Sequence, residues 1–226
     1  MVATPLSEIT NDAAIVYPSS DGEPLAETSV HVDAIINIVV ILRQLLQDQQ
    51  AIVLADQFLY YAQGWPRLRV APDVMVIENV EPGPRDNYKI WEEGAVPSVV
   101  FEVTSEGTQG KDREFKKTLY EQLGIPEYWL FDPKGEWIPE KLQGYQLHKD
   151  EYEPITNSKS QALGLRLAVE DKLIGFYRLD TDEKLLAADE LVVALQTESK
   201  ARQLAEDKAE RLAQRLREMG VDPSEV

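Results

Sequence analysis

The chain has 226 residues and a formal net charge of −17, from 40 acidic and 23 basic side chains. It contains no cysteine, which excludes disulfide bonds and cysteine-based zinc sites, and its two histidines exclude a three-histidine zinc site. The 43% hydrophobic content is typical of a globular protein. The acidic balance disfavours tight non-specific binding to nucleic acid, but it suits a protein that gathers carboxylates around a divalent cation.

The beginning of the chain shows no targeting pattern, because no basic segment is followed by an apolar one. No apolar run approaches the length of a membrane span. We therefore expect a cytoplasmic protein with no membrane partner. Residues 1–26 are expected to be irregular, since proline and glycine recur in them.

The first predicted elements are a helix and a strand. Residues 29–48 form a helix in this prediction, with Ser29 as its N-cap, because isoleucine, valine and leucine recur on one broad face. Residues 51–61 favour a strand, and a further strand is expected to open at Pro72–Asp73. Residues 79–96 are predicted to be a loop longer than a hairpin needs, and such loops are often functional.

The middle of the chain predicts a buried strand followed by a helix and another strand. Residues 97–105 are nearly all apolar, as in a central strand covered on both faces, and Glu102 interrupts them. Residues 110–123 are predicted to be a helix that Gly124 ends. The sequence from Ile125 to Pro133 favours a strand, and hairpins are expected after it. This order indicates an α/β or α+β fold with a mixed sheet.

The segment from Glu183 to Met219 changes composition to helix-forming residues without internal glycine or proline. Apolar side chains recur there at 4-3-4-3 spacing, the pattern of a coiled-coil seam: Ala205, Ala209, Leu212, Leu216 and Met219. We therefore divide the chain into a body, residues 1–180, and a helical or coiled-coil tail, residues 181–226.

Two acids stand out because they lie within apolar strands. Asp73 is at the head of one strand and Glu102 lies inside another. A buried, ionised carboxylate is costly unless it is paired or bound to a metal. Two of them on neighbouring strands suggest a shared cation, although Asp73 alone also fits a turn and Glu102 alone fits a pair with a buried arginine.

Other charged residues near these acids have equally simple interpretations when each is taken alone. Asp112 fits a helix cap or a partner for Lys116 one turn later. Glu27 fits a favourable charge at the start of the first helix. His31, on that helix, is expected to be a polar residue with its hydrogen bonds satisfied.

The order of these residues resembles the Uma-two family, restriction-endonuclease-like proteins of the PD-(D/E)XK nuclease superfamily that are abundant in cyanobacteria. The resemblance runs from about Gly22 to about Tyr177, and the final block is its most specific part. The matching segments are Ala71-Pro72-Asp73-Val74, Phe101-Glu102-Val103-Thr104-Ser105 with Thr108, Asp112 with Lys116 and Tyr120, and Gly124-Ile-Pro-Glu-Tyr-Trp-Leu-Phe-Asp132-Pro133.

The resemblance implies a restriction-endonuclease-like core, a mixed sheet flanked by helices, with the C-terminal helix added. It also implies Mg²⁺- or Mn²⁺-dependent hydrolysis of phosphodiester bonds in DNA. Asp73 matches the first acid of the superfamily pattern and Glu102 the second, while Glu27 matches an acid that many members keep at the first helix. These three are the implied metal ligands, with Mg²⁺ or Mn²⁺ as the cofactor.

The sequence departs from the superfamily pattern at one position. The pattern has a lysine two residues after the second acid, where this chain has Thr104. In this family the lysine matches Lys116 on the following helix, and Lys117 ranks second because it points about 100° away around the helix. We expect Asp112 to position Lys116, and Tyr120 either to hydrogen-bond within the site or to pack in the core.

Two other kinds of function remain open at this point. A nuclease-like fold without turnover, used for binding or regulation, is favoured by the acidic charge. An assembly protein acting through its helical tail is the other alternative. A homodimer is expected for the nuclease, because cutting both strands of DNA usually requires two active sites.

Overall fold

The computed structural model describes residues 15–22, 27–108 and 110–219. Its elements, in chain order, are α1 (Ser29–Leu45), β1 (Ala51–Ala55), β2 (Leu59–Tyr60), β3 (Arg69–Val70), β4 (Val74–Glu78), β5 (Tyr88–Lys89), α2 (Ile90–Glu93), β6 (Val99–Val103), a π-helical turn (Lys111–Lys116), α3 (Lys117–Gln122), β7 (Glu127–Phe131), β8 (Leu142–His148), β9 (Glu151–Ile155), β10 (Lys159–Ser160), β11 (Leu165–Glu170), β12 (Leu173–Arg178), β13 (Lys184–Leu185) and α4 (Ala188–Glu218).

The centre of the fold is a six-stranded sheet in the order β1-β4-β6-β7-β8-β9. Strands β6 and β7 are parallel, and the other neighbouring pairs are antiparallel. Parallel neighbours need a crossover, which the π-helical turn and α3 supply. This mixed sheet, its flanking helices and the long C-terminal helix confirm the predicted fold class.

Both faces of the central sheet are covered, as the apolar central strands predict. Alternate residues of β6 divide between the two faces: Val99 and Phe101 pack in the core beneath α1, and Val100 packs in the core beneath α3. The sheet β10-β11-β12-β13 contributes side chains to the core on the α1 side, and the sheet β3-β2-β5 contributes side chains to the core on the α3 side. Glu102 shares the face of Val100, so its side chain lies on the α3 side.

Several predicted boundaries are wrong for identifiable reasons. Thr28, not Ser29, is the N-cap of α1, since its hydroxyl oxygen accepts a hydrogen bond from the His31 backbone N–H at 3.3 Å. The predicted strand 51–61 is two strands, because the chain turns at Asp56, whose φ is 51°. The predicted loop 79–96 contains β5 and α2.

The tail begins later than its composition predicts. Helix α4 starts at Ala188 rather than Glu183, because Lys184 and Leu185 form β13 against β12. None of the helices in the described part of the chain combines the length and hydropathy needed to cross a bilayer. Most of the predicted irregular segment 1–26 lies outside the described residues; residues 15–22 contain no helix or strand.

Candidate active site

Glu102 is the centre of the site. Its side chain is completely buried, and both carboxylate oxygens accept hydrogen bonds from the helical crossover. Lys116 Nζ lies 2.7 Å from Oε2, and the Tyr120 hydroxyl donates to Oε1 at 2.6 Å. Lys116 and Tyr120 are one helical turn apart, so a single face of the crossover holds the carboxylate from two sides.

Lys116 faces the acids, as expected, and Lys117 does not. Lys116 Nζ also lies 3.1 Å from Asp112 Oδ1. Burial disfavours its ammonium, but the carboxylates of Glu102, Asp112 and Asp73 together raise the pKa of Lys116 above its usual value. Lys117 Nζ instead lies 4.2 Å from the centre of the Tyr145 ring. The change from π-helical to α-helical backbone occurs between these two lysines.

Asp73 lies immediately before β4, beside the end of β6. Strands β4 and β6 pair antiparallel, and Asp73 Oδ2 accepts the Val103 backbone N–H at 2.6 Å. Burial and the charge of Glu102 raise the pKa of Asp73 well above its usual value, more than Lys116 lowers it. Burial likewise raises the pKa of Glu102, although Lys116 opposes it. Glu102 therefore lies on β6 and Asp73 at the head of the neighbouring strand β4, as predicted, and the charge of Glu102 contributes to the raised pKa of Asp73.

Asp112 adds a third carboxyl group, which is buried. Among the described residues, neither of its carboxylate oxygens has a hydrogen-bond partner, because the 3.1 Å approach of Lys116 lacks hydrogen-bond geometry. The Tyr128 hydroxyl donates to the Asp112 backbone carbonyl at 2.8 Å and fixes the start of the crossover. One lysine thus stands beside three acids, of which Glu102 and Asp112 are buried and Asp73 is 16% exposed, so the acids outnumber the single basic group when they are ionised.

Glu27 is linked to this cluster by His31, which lies close to both Glu27 and Asp73. His31 Nε2 lies 3.7 Å from Glu27 Oε2 and 3.9 Å from Asp73 Oδ2, while its buried Nδ1 has no partner among the described residues. The expectation that His31 is a fully satisfied polar residue is therefore wrong. Sequence reasoning also missed Asp56, which donates its backbone N–H to the Asp73 carbonyl at 3.2 Å. Burial raises the Asp56 pKa, partly offset by His31.

Thr104 occupies the position where the superfamily pattern has lysine. It is buried, and its hydroxyl donates to the Phe131 carbonyl at 3.3 Å. Its backbone N–H donates to the same oxygen at 2.7 Å. Thr104 therefore joins the ends of β6 and β7 rather than contacting an acid directly.

The side chains fit a hard divalent cation by type. An ionised carboxylate has about four acceptor positions, so the two hydrogen bonds to Glu102 leave room for a metal bond. Asp73 Oδ1 has no hydrogen bond from a described residue, and the excess negative charge favours a cation. Within the described ranges, however, no three His, Asp or Glu side chains are already arranged as a metal site. Side chains would therefore have to move before three of them could hold one ion.

A cleft of about 430 Å³ opens beside Glu27 and His31. The start of α1, residues 104–108 and residues 133–137 line it, and Glu27 and His31 belong to both the cleft and the cluster. Buried Asp132 shapes one wall, because its carboxylate accepts four backbone N–H groups: Lys134, Gly135, Trp137 and Ile138. The cleft therefore has a fixed wall and meets the cluster at Glu27 and His31, while Asp73, Glu102 and Lys116 are not among its lining residues.

The model of the Uma2 family, described as "putative restriction endonuclease", matches residues 6–175. The chain belongs to the Uma2 family. The match includes Asp73, Glu102 and Lys116 and ends before α4. Family membership confirms the resemblance on which the site was predicted and supports a nuclease of restriction-endonuclease type.

Structural comparison finds solved structures with weak similarity to this Uma2 chain. A crystal structure from Anabaena variabilis, described as a putative nuclease belonging to DUF820, shares 16% sequence identity and has a TM-score of 0.43. The alignment covers 61% of this chain and 72% of that one. A score this low carries no argument about the site. No curated protein matches the chain.

The Tyr120–Glu102 hydrogen bond gives a first prediction. Tyr120→Phe should lower the free energy of unfolding of this Uma2 protein by about 1–3 kcal/mol, because it leaves a buried carboxylate oxygen without its donor. Urea denaturation followed by circular dichroism measures this. Tyr61→Phe is the control, since its hydroxyl has no hydrogen bond to a described residue. Equal stabilities of the two variants would contradict the assignment.

Proposed function

We propose that this chain is a divalent-metal-dependent endonuclease that hydrolyses phosphodiester bonds in DNA. The observation that carries the proposal is the contact of Lys116 with Glu102 at 2.7 Å, with Asp73 at the head of the neighbouring strand. Two carboxylates and a lysine are the groups that phosphodiester hydrolysis needs for a metal and for the charge on the phosphate. Membership of the Uma2 family supports the same reaction.

Asp73 and Glu102 would hold Mg²⁺, or Mn²⁺, and Glu27 would complete the ligand set directly or through water. Mg²⁺ prefers oxygen ligands and keeps several waters, so two or three carboxylates are sufficient. When bound, the ion would lower the pKa of a water molecule and polarise a phosphoryl oxygen. It would also offset the repulsion that raises the pKa of Asp73.

The remaining side chains position the reacting groups. Lys116 keeps its proton because of the surrounding acids, so it acts as a fixed positive charge that donates to the attacking water or to a phosphate oxygen. Tyr120 holds Glu102 in place through its hydrogen bond. Asp112 limits the movement of Lys116 through the contact at 3.1 Å.

DNA is the proposed substrate, and it would approach through the cleft beside Glu27 and His31. Lys134, Ser105 and Thr108 line this cleft and offer donors for phosphate oxygens. The net charge of −17 opposes DNA binding, so the bound cation becomes part of substrate recognition as well as catalysis. We place the protein in the cytoplasm, where DNA and Mg²⁺ are both present.

The two parts of the chain would have different roles, one in catalysis and one in assembly. Residues 1–180 would form the nuclease body, since they hold all the acids of the site, and residues 181–226 would serve assembly. The ion pairs of Lys184 with Glu170 and Glu190, each at 2.6 Å, anchor the start of the tail to the body. A truncation that tests this division should therefore retain Lys184.

A cleavage assay tests the proposed function. The wild-type protein should nick or linearise supercoiled plasmid with Mg²⁺ or Mn²⁺ and should be inactive in EDTA. Glu102→Gln, which keeps the side-chain size, should lose the activity at every metal concentration. Linear duplex and single-stranded DNA serve as alternative substrates. Absence of cleavage on all three, at metal concentrations that saturate the protein, would contradict the proposal.

One observation favours a non-enzymatic alternative. Both oxygens of Glu102 are already engaged by Lys116 and Tyr120, and the protein is strongly acidic, as a binding or regulatory module with a nuclease fold would be. This alternative predicts that metal stabilises the protein against heat without any cleavage. The same preparation, measured by calorimetry and by the plasmid assay, separates the two functions.

A further inference from the structure

Helix α4 extends as one helix of 31 residues in which no side chain is buried. Helices in proteins are stabilised mainly by packing of one face, so a helix without such packing calls for a partner. Side chains spaced alternately by three and four residues form a seam along its length. The seam consists of Ala188, Leu191, Leu195, Glu198, Arg202, Ala205, Ala209, Leu212, Leu216 and Met219. Two charged residues, Glu198 and Arg202, occupy its middle.

The charges determine which orientation a second copy can adopt. In a parallel pair, Glu198 would face Glu198 and Arg202 would face Arg202, and both layers would be repulsive. In an antiparallel pair centred on Lys200, Glu198 of each copy lies opposite Arg202 of the other. Both charges in the seam are then neutralised, so the sequence favours the antiparallel arrangement.

The sizes of the apolar side chains agree with the same register. With Lys200 at the centre, Leu195 of one copy lies opposite Ala205 of the other, and Leu191 lies opposite Ala209. Each such layer pairs one large side chain with one small side chain, which gives the layers equal volume. The exposed Leu195 and Leu212 side chains, 56% and 54% accessible in the single chain, would become covered.

We propose that α4 pairs with α4 of a second copy of this chain as an antiparallel coiled coil centred on Lys200. The centre lies twelve residues after the start of α4, so about 36 Å of paired helix separates the two bodies. This spacing leaves the bodies at opposite ends, free of each other. In the single chain Arg202 contacts Glu206 at 2.9 Å, but both side chains are exposed. Such an exposed ion pair is too weak to prevent Arg202 from pairing with Glu198 of the second copy.

A neighbouring register is the main alternative. Sliding one helix by a heptad would place Leu195 opposite Leu212 and Leu191 opposite Leu216, which would increase apolar contact. It would also place Glu198 and Arg202 opposite alanine, with no opposite charge on the partner. Each helix would then cover two charges without an opposite charge on the partner, which costs more than the leucine–leucine layers gain. We therefore favour the register that pairs the charges.

Cysteine cross-linking tests the proposal, because the natural chain has no cysteine to interfere. Full-length proteins carrying Leu195→Cys, Ala205→Cys or Leu212→Cys are oxidised separately and as mixtures. The proposed register predicts a disulfide-linked dimer in the mixture of Leu195→Cys with Ala205→Cys. Neither of these two variants should cross-link alone, since identical positions are then about 15 Å apart.

Every other pattern overturns the proposal. Self-cross-linking of both Leu195→Cys and Ala205→Cys shows a parallel pair. Cross-linking of Leu195→Cys with Leu212→Cys, but not with Ala205→Cys, shows the shifted register. A monomer by light scattering at 100 µM wild-type chain, on the order of a weak protein association, shows that no pair forms.

Charge reversal provides an independent readout. Glu198→Arg should weaken the dimer at least about tenfold, and adding Arg202→Glu to it should restore the affinity, as expected when the two positions face each other. Glu210→Arg changes the net charge equally but lies off the seam, so it should leave the affinity unchanged. The pairing is measured without DNA, so its failure would not affect the proposed nuclease activity. If the α4 pairing and the nuclease activity are both confirmed, the dimer supplies two active sites.

Discussion

Replacing Asp73 by asparagine is expected to abolish metal-dependent DNA cleavage while making the metal-free protein more stable. Asparagine keeps the size of the side chain and can still accept the Val103 N–H. It removes a carboxylate whose pKa is raised well above its usual value by burial and by Glu102. Activity should fall by more than about 100-fold, because loss of an outer partner of a metal ligand already costs about 10–100-fold.

The stability gain of Asp73→Asn should depend on pH in a definite direction. An acid with a native pKa above its unfolded value costs stability wherever it is ionised. The penalty is complete above the native pKa and disappears as the pH falls below the unfolded value of about 3.9. Asp73→Asn should therefore gain about 0.5–2 kcal/mol at pH 8, the usual range for a stabilising substitution, and progressively less in acid.

Urea denaturation in EDTA between pH 5 and pH 8 measures this difference. Asp207→Asn, on the exposed surface of α4, is the matched control and should change neither stability nor cleavage. An Asp73→Asn protein that is less stable than wild type at pH 8 would show that Asp73 supports the fold rather than the site. A variant that still cleaves would exclude Asp73 as a metal ligand.

Replacing Lys116 by methionine should reduce cleavage by about 10²–10³-fold, the usual cost of removing one charge-stabilising donor. Methionine preserves most of the apolar stem but leaves Glu102 and Asp112 buried without their cation. The free energy of unfolding should therefore fall by about 3–5 kcal/mol in the absence of metal. A divalent cation should bind slightly more tightly than to wild type, because a competing positive charge is gone.

Lys117→Met is the natural control, since Lys117 contacts the Tyr145 ring and not the acids. Loss of that contact should cost about 0.5–1 kcal/mol and leave cleavage intact. Circular dichroism establishes that both variants are folded at the assay temperature, and Mn²⁺ titration calorimetry gives their metal affinities. An inactive Lys117→Met beside a fully active Lys116→Met would reverse the assignment of the catalytic lysine.

Local patterns were sufficient to predict the parts of the site that lie on regular elements. Apolar runs located β4 and β6, and an acid at the head of the first run and inside the second is visible without any knowledge of contacts. Helical spacing placed Lys116 and Tyr120 on one face, and the structure brings both to Glu102. The motif order then identified the family. These inferences succeed because strand and helix periodicities fix side-chain direction locally.

Contacts between distant segments could not be predicted in this way. His31 and Asp56 join the cluster only because α1 and the turn after β1 pack beside Asp73, and no local pattern indicates that. The π-helical turn before α3 was read as ordinary helix, since a single inserted residue leaves the composition unchanged. Thr104 lies two residues after Glu102, but its hydroxyl donates to the Phe131 carbonyl of β7 across the strand pair.

The position of a bound metal tests the central claim most directly. Crystals soaked in MnCl₂ should show an anomalous peak within about 2–2.3 Å of carboxylate oxygens of both Asp73 and Glu102. The peak should be absent from Asp73→Asn crystals treated in the same way. A peak at other acids only, or none at millimolar Mn²⁺, would contradict the account of this cluster as a metal-dependent nuclease site.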